Sequence, residues 1–451
     1  MLSCVLLFFS SLHAVQYADN AFHCVSYDFY LCCDSVLILF AEKMKKTSEG
    51  YPLKIMQIRA FCMIAERGTV SEAADKLFRT QSAITRSIRD LEHTLATPLF
   101  ERHASGMMLT EMGKCVLPRA RRAIQELHLI PSLLSKLKQR NSGREEAEPI
   151  WLFNLRRLQI FLALYRLHHT QSVAASLGIS QPAVSAALKV LEKGAGLTLF
   201  QRTPKGMMPT PAGREIAPFI SRALNEIRHI PEDLAAHQGI LTGTVHVGAL
   251  PLCRSSLLPL AIAQLVTRYP GVKVVTNESA FSALVTELRA GDIDFILGAL
   301  RQNAAVPDIH NQILFDEELI LLARPQHPLA GRPLTPDDLA LTQWILPRDN
   351  TPARHLLDRA FQALGISAPQ PVVESGDLAI VRGLLLHSDM VAAVSSHQLE
   401  YELRAGILAP LVLNLPDTRR EIGLTFRQGA LHSPAAKALL SCINETLLHT
   451  T

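Results

Sequence analysis

The 451-residue chain predicts a multidomain protein: two copies of a small, mostly helical domain followed by a two-lobed α/β unit. Three observations carry the prediction. The sequence matches itself without gaps at an offset of 100 residues. Within each copy apolar residues recur at helical intervals, and from Thr244 onward the pattern changes to alternating strands and helices.

Length alone allows about three domains. Hydrophobic residues at 48% and charged residues at 19% describe a globular chain, not a disordered one. The net charge of +4 is unevenly spread: residues 51–240 hold 26 Lys and Arg against 16 Asp and Glu, whereas residues 241–451 hold 16 against 20. The positive excess therefore lies in the repeated half, where a polyanion can use it. None of the eight cysteines (4, 24, 32, 33, 62, 115, 253, 442) forms a C-x-x-C pair, so neither a structural zinc nor a disulfide framework is expected. At the N-terminus, Leu2–Phe9 is too short to span a bilayer and Phe29–Phe40 is interrupted by Asp34. Residues 1–50 are assigned to an extension outside the fold, with the functional chain starting near Met44, and no membrane partner is expected.

The repeat assigns one domain to 51–140 and its copy to 153–240. Phe61 aligns with Phe161, Ala74 with Ala174, Leu77 with Leu177, Gln81 with Gln181, and Leu91-Glu92 with Leu191-Glu192. The register continues through Leu99-Phe100, Arg102, Gly106-Met107-Met108, Thr110, Gly113 and Pro118 and their partners 100 residues on. A first helix follows from Ile58, Phe61, Cys62 and Ala65, and again from Leu158, Phe161, Leu162 and Tyr165. A second, short helix with small alanines leads through Phe78-Arg79 or Gly178-Ile179 to Thr80 or Ser180, residues that cap a third helix.

The third helix buries Ile84, Ile88, Leu91 and Leu95 in one copy and Val184, Leu188 and Leu191 in the other. Its outward residues are Gln81, Ser82, Thr85, Arg86 and Arg89, and Gln181, Pro182, Ser185 and Lys189. Such groups suit a major groove, where Gln reads adenine, Arg or Lys reads guanine, and hydroxyls hold phosphate. A solvated face is the ordinary account of a polar helix side; the helix-turn-helix layout before it, present twice, favours recognition of double-stranded DNA. A short hairpin then places Arg102, Arg202 and Lys205 beside the neighbouring phosphate or minor groove. Long apolar-striped helices follow Thr110 and Thr210, and Pro131 and Pro231 predict a kink or break in each.

The stretches Phe61–Gly113 and Phe161–Gly213 resemble the winged helix-turn-helix of the LysR-type transcriptional regulators, Ser180-Gln181-Pro182-Ala183-Val184-Ser185 most closely. The likeness covers roughly residues 55–445, but the family pattern has one such unit and this chain has two. Copy one has Ser82 where the pattern favours proline, yet its third helix is the more basic. The resemblance implies a cytoplasmic, homo-oligomeric regulator that contacts DNA, a small-molecule effector and RNA polymerase. The family's dimer pairs the long helices of two chains; here one chain can make that pair internally. The polar connector 141–152, about twelve residues, spans up to roughly 40 Å. A pseudo-dimer reading two unlike half-sites is expected, with a copy reduced to a packing module as the competing reading.

Residues 241–451 read as the family's periplasmic-binding-protein-like effector domain. Strands are expected at Val245–Leu250, Val272–Thr276 and Phe295–Ala299, then at Trp344–Leu346, Val372–Glu374 and Met390–Val394, with helices between them. Glu318–Ala323 and Glu421–Phe426 are expected to cross between lobes, and Pro434–Leu448 to return as helix. Ligands in such folds lie at the carboxyl ends of strands. That logic selects Cys253, Arg254, Ser255, Ser256, Arg348, Asn350, Thr351, Ser375 and Ser395 for a small carboxylate, sugar acid or aromatic acid. The run Gly298-Ala299-Leu300-Arg301 resembles the subgroup that senses sugars or aromatic acids. No phosphate loop, H-E-x-x-H pair or G-x-S-x-G elbow is present, so no enzyme, cofactor or metal is expected. A solute-binding receptor without a DNA-binding role is the alternative.

Overall fold

Two short helices and the turn between them open each copy of the repeat. The computed structural model describes residues 53–104, 106–138, 148–301, 308–349 and 351–450; the expected N-terminal extension and most of the connector lie outside them. Copy one runs α1 (Ile55–Arg67), α2 (Val70–Lys76), α3 (Gln81–Leu95), β1 (Phe100–His103), β2 (Gly106–Leu109) and α4 (Glu111–Leu137). Copy two repeats it as α5 (Leu155–Leu167), α6 (Thr170–Leu177), α7 (Gln181–Ala195), β3 (Phe200–Thr203), β4 (Gly206–Pro209) and α8 (Pro211–His237).

Local chemistry fixes the boundaries. Thr80 and Ser180 accept from the amides of Ala83 and Ala183 at the starts of α3 and α7. Thr110 and Thr210 cap α4 and α8 in the same way through Gly113 and Gly213. The wings are held from behind. Glu92 Oε1 accepts from the amides of Leu99 (2.8 Å) and Phe100 (3.2 Å), and Glu192 from those of Leu199 (2.8 Å) and Phe200 (3.3 Å). At the hairpin turn Gly106 and Gly206 have φ of 125° and 109°, and a Cβ there would lie 2.5 Å from the carbonyl oxygen of Gly68 or His168. Only glycine allows that approach.

The expected break at Pro131 and Pro231 is corrected. Both long helices run unbroken for 27 residues, about 40 Å. Each internal proline removes one backbone hydrogen bond. The helices pair along their lengths, burying Ile130 and Leu134, and Ile230 and Leu234, around those prolines. Tertiary packing outweighs the local penalty.

Two sheets of like topology follow. The first lobe comprises β5 (Gly243–Ala249), α9 (Leu257–Arg268), β6 (Val272–Asn277), α10 (Phe281–Ala290), β7 (Phe295–Ala299) and β8 (Ile309–Glu317). In the second lie β9 (Leu319–Ala323), α11 (Pro336–Leu341), β10 (Gln343–Leu346), α12 (Pro352–Ala363), β11 (Pro371–Glu374), α13 (Leu378–His387), β12 (Met390–Ser395), α14 (Glu400–Arg404) and β13 (Ala409–Pro410). The chain then returns through β14 (Arg420–Arg427) and α15 (Pro434–Thr450). Sheet orders are β6-β5-β7-β14-β8 and β11-β10-β12-β9-β13, with parallel pairs β5/β6, β5/β7, β10/β11 and β10/β12. Helices cover both faces, so inward residues such as Val245, Val247, Phe295 and Leu297 are fully buried.

The crossing segments differ from expectation. Leu319–Ala323 lies wholly in the second sheet and Arg420–Arg427 wholly in the first. The first crossing is the single residue Glu318 between β8 and β9, and the return is the stretch from Leu411 to Arg419. Strand β8 was not expected from sequence; it is an edge strand whose residues are largely exposed.

Candidate nucleic-acid interface and ligand cleft

On the third helices the two copies present the same exposure pattern. Ile84, Ile88 and Leu91, and Val184, Leu188 and Leu191, are buried, while Leu95 is half-buried. Gln81, Ser82, Arg86 and Arg89 are exposed, as are Gln181, Pro182 and Lys189; Thr85 and Ser185 are half-buried. Gln81 Nε2 donates to Ser71 Oγ (3.0 Å) and Gln181 Nε2 to Thr170 Oγ1 (3.2 Å), linking α3 and α7 to the helix before each. Ser82 Oγ lies 3.1 Å from Thr80 Oγ1, within the cap. Arg102, Arg202 and Lys205 project exposed from the wings, and Glu101 turns to His103 (3.5 Å). Sequence reasoning overlooked Glu92 and Glu192, although their repeated Leu-Glu pair was visible; they position the wing without facing outward.

Between the lobes opens a cleft of about 930 Å³, its open mouth included. Leu250, Leu319, Ile345, Leu378 and Val394 give it apolar walls. Of the residues expected from strand-end logic it brings together Arg348, Thr351 and Ser375. Thr351 caps α12, accepting from the Arg354 amide (3.3 Å) and donating to the Arg348 carbonyl (2.8 Å). Ser375 Oγ accepts from the Asp377 amide (3.1 Å). Asn350 lies outside the described residues.

The remaining expected residues are not on the cleft lining. Cys253 is fully buried in the first lobe's core, and burial pushes its thiol pKa up to about 12. Arg254 spends its guanidinium on the carbonyls of Ala249 (2.8 Å) and Glu278 (2.9 Å). Ser255 Oγ sits 3.5 Å from the carbonyls of Leu252 and His397, and Ser256 precedes α9 without capping it through its side chain. Ser395 is buried and donates to Glu317 Oε2. Position at a strand end does not tell which way a side chain points.

Two arginines that the strand-end rule missed stand in the cleft instead. Strands β7 and β14 are antiparallel, with Ala299 opposite Ile422, so Arg301 and Arg420 fall side by side two residues farther on. Arg420 is held by Glu317, with Nε to Oε1 at 2.5 Å. Arg301 stacks on Phe281, 5.0 Å from the ring centroid, and its buried Nε has no hydrogen-bond partner among the described residues. Burial, and then the neighbouring Arg420, lower the Arg301 pKa below the usual arginine value. A guanidinium with an unsatisfied Nε beside a second arginine in an apolar-walled cleft favours an anion.

Among the described residues no single helix is long and apolar enough to cross a membrane. Residues 55–114 and 155–214 each match the family of bacterial regulatory helix-turn-helix proteins of the lysR type, and residues 238–448 match the LysR substrate binding domain. The chain is 54% identical over 393 residues to the HTH-type transcriptional regulator GalR of Pseudomonas putida, covering 87% of this chain and 97% of that one. It is 31% identical over 239 residues to GbpR of Azospirillum brasilense, covering 52% and 70%. Full-length OxyR of Pseudomonas aeruginosa shares the fold, with a TM-score of 0.51 at 23% identity over 65% of this chain and 94% of that one. A twice-matched DNA-binding unit, a substrate-binding domain and an end-to-end relative place the chain in the LysR family of DNA-binding transcription regulators.

Proposed function

We propose that the chain is an effector-responsive regulator acting in the cytoplasm, in which α3 and α7 both enter major grooves and the cleft between lobes takes a small carboxylate with an apolar body, such as an aromatic acid. Arg301 is the observation that carries the ligand class: its buried Nε has no hydrogen-bond partner among the described residues, and an unsatisfied charged donor costs free energy until an acceptor reaches it. Arg86, Arg89 and Lys189 supply base contacts, while Arg102, Arg202 and Lys205 supply phosphate contacts.

A route from ligand to DNA follows from Arg420. Its partner Glu317, at the end of β8 in the first lobe, also accepts the hydroxyl of Ser395 from the second lobe. A carboxylate that draws Arg420 toward the cleft competes with Glu317 and alters this cross-lobe contact. The ligand then shifts the regulator by binding one lobe arrangement more tightly than the other. Calorimetry with a panel of aromatic and aliphatic carboxylates tests the reading. Arg301→Ala is expected to weaken the best carboxylate about tenfold or more. Equal affinity in parent and variant would place the ligand elsewhere.

A further inference from the structure

The two long helices lie antiparallel, and their ion pairs repeat across an internal two-fold axis. Arg222 pairs with Glu126 (2.7 Å), and Arg122 pairs with Glu226 (3.3 Å). Under the 100-residue offset Arg122 corresponds to Arg222 and Glu126 to Glu226, so each bridge is the other with its two copies exchanged. The two helices are in contact, and each buries small and branched residues, among them Ala123, Ile124 and Leu127 on one and Ala223 and Ile227 on the other. A pairing of two units about a two-fold is thus completed inside one polypeptide. The segment before copy two reinforces it: Phe153 packs against His128 (5.8 Å between rings) and under Arg59 (5.6 Å) of copy one, and Trp151 lies against Gly194 of copy two.

The axis is only approximate, and its breaks fall at two places. Arg119 corresponds to Phe219 and Asp233 to Leu133, so the Arg119–Asp233 bridge has no counterpart. Both helices of the pair are fastened to the first lobe, one through Arg119 to the carbonyls of Leu431 (3.1 Å) and His432 (3.0 Å) and the other through Ser221 to Asp292 (2.8 Å). Arg166 of copy two also reaches Asp292 (2.6 Å). The second break lies on the reading faces: Arg86 and Arg89 correspond to Ala186 and Lys189, and Ser82 to Pro182. All six are exposed.

Resting on the reading of both copies as DNA-binding units, we propose that a single chain is a self-paired, two-headed reader of an asymmetric DNA site, an inverted repeat whose halves differ. The half under copy one is chosen through Arg86 and Arg89, and the half under copy two through Lys189. Each arginine or lysine that reaches a guanine contributes discrimination in its own half alone. A pair made from two identical chains would instead present two identical faces and select a symmetric site.

Selection of bound sequences from a random duplex library, using the full chain, tests this. The parent is expected to select two unlike half-sites in inverted orientation. Arg86→Ala with Arg89→Ala should erase base preference in one half by about tenfold or more and leave the other intact, and Lys189→Ala should do the reverse. Erosion of both halves by either variant, selection of identical halves, or an unchanged footprint in the Arg86/Arg89 variant would each overturn the proposal while leaving DNA binding in place. A parent chain that selects no sequence at all overturns the underlying reading as well.

Discussion

Replacing Arg119 by methionine is expected to loosen the junction between the long-helix pair and the first lobe. The Arg119 side chain is only 3% exposed and makes five hydrogen bonds: to Asp233 (2.5 and 3.3 Å), Glu226 (2.8 Å) and the carbonyls of Leu431 and His432. Burial alone would lower its pKa, but Asp233 and Glu226 raise it above the ordinary arginine value, so the group is firmly cationic. Removing one partner of a buried ion pair costs roughly 3 to 5 kcal/mol. Two features point to the lower end. Glu226 keeps Arg122 at 3.3 Å, and Asp233, at 19% exposure, reaches water. A cost of about 3 kcal/mol corresponds to amide exchange roughly 150-fold faster wherever opening breaks this junction. Several domains share the chain, so the readout is local: hydrogen exchange across Gly429–Lys437, with the exposed Arg121→Met as control. Acceleration below threefold, or equal acceleration in the control, would refute the claim that Arg119 fastens the helices to the lobe.

Two further expectations concern neighbouring features. Phe78, 94% exposed at the helix-turn-helix corner of copy one, has φ of 51° where copy two carries Gly178 at 62°. Phe78→Gly should stabilise copy one by about 1 kcal/mol, read as slower local hydrogen exchange in α2 and α3; no slowing would argue against strain at this corner. His432, at the Arg119 junction, has its pKa lowered chiefly by burial, with Lys437, His310 and Arg119 acting in the same direction against Asp294. The unfolded state then takes up a proton that the folded state resists. Stability is present above about pH 6.5 and is lost as pH falls through the lowered folded value. His432→Gln should flatten the pH dependence of exchange at the junction, and an unchanged profile would exclude this histidine as its source.

The sequence by itself determined the duplicated units, their caps and the alternation of the two lobes. These features are local: a gapless offset carries every helical stripe, and a threonine or serine cap needs only the amide three residues ahead. Edge strand β8 escaped because its outward residues have no buried partner set to impose a period of two. Neither Pro131 nor Pro231 breaks its helix; local propensity does not know that a second helix lies alongside. The cleft was half legible. Arg348, Thr351 and Ser375 follow from strand ends, but Cys253 and Ser395 occupy equivalent positions and turn into the interior. Arg301 and Arg420 are more than a hundred residues apart in the chain; only the antiparallel register of β7 and β14 makes them neighbours. Likewise the exchanged bridges Arg122–Glu226 and Arg222–Glu126 rest on residues the repeat displays openly, but only tertiary packing shows that the two copies pair with each other. Residue type and spacing report what a segment can bury or expose; which distant segment meets it is decided by the folding of the whole chain.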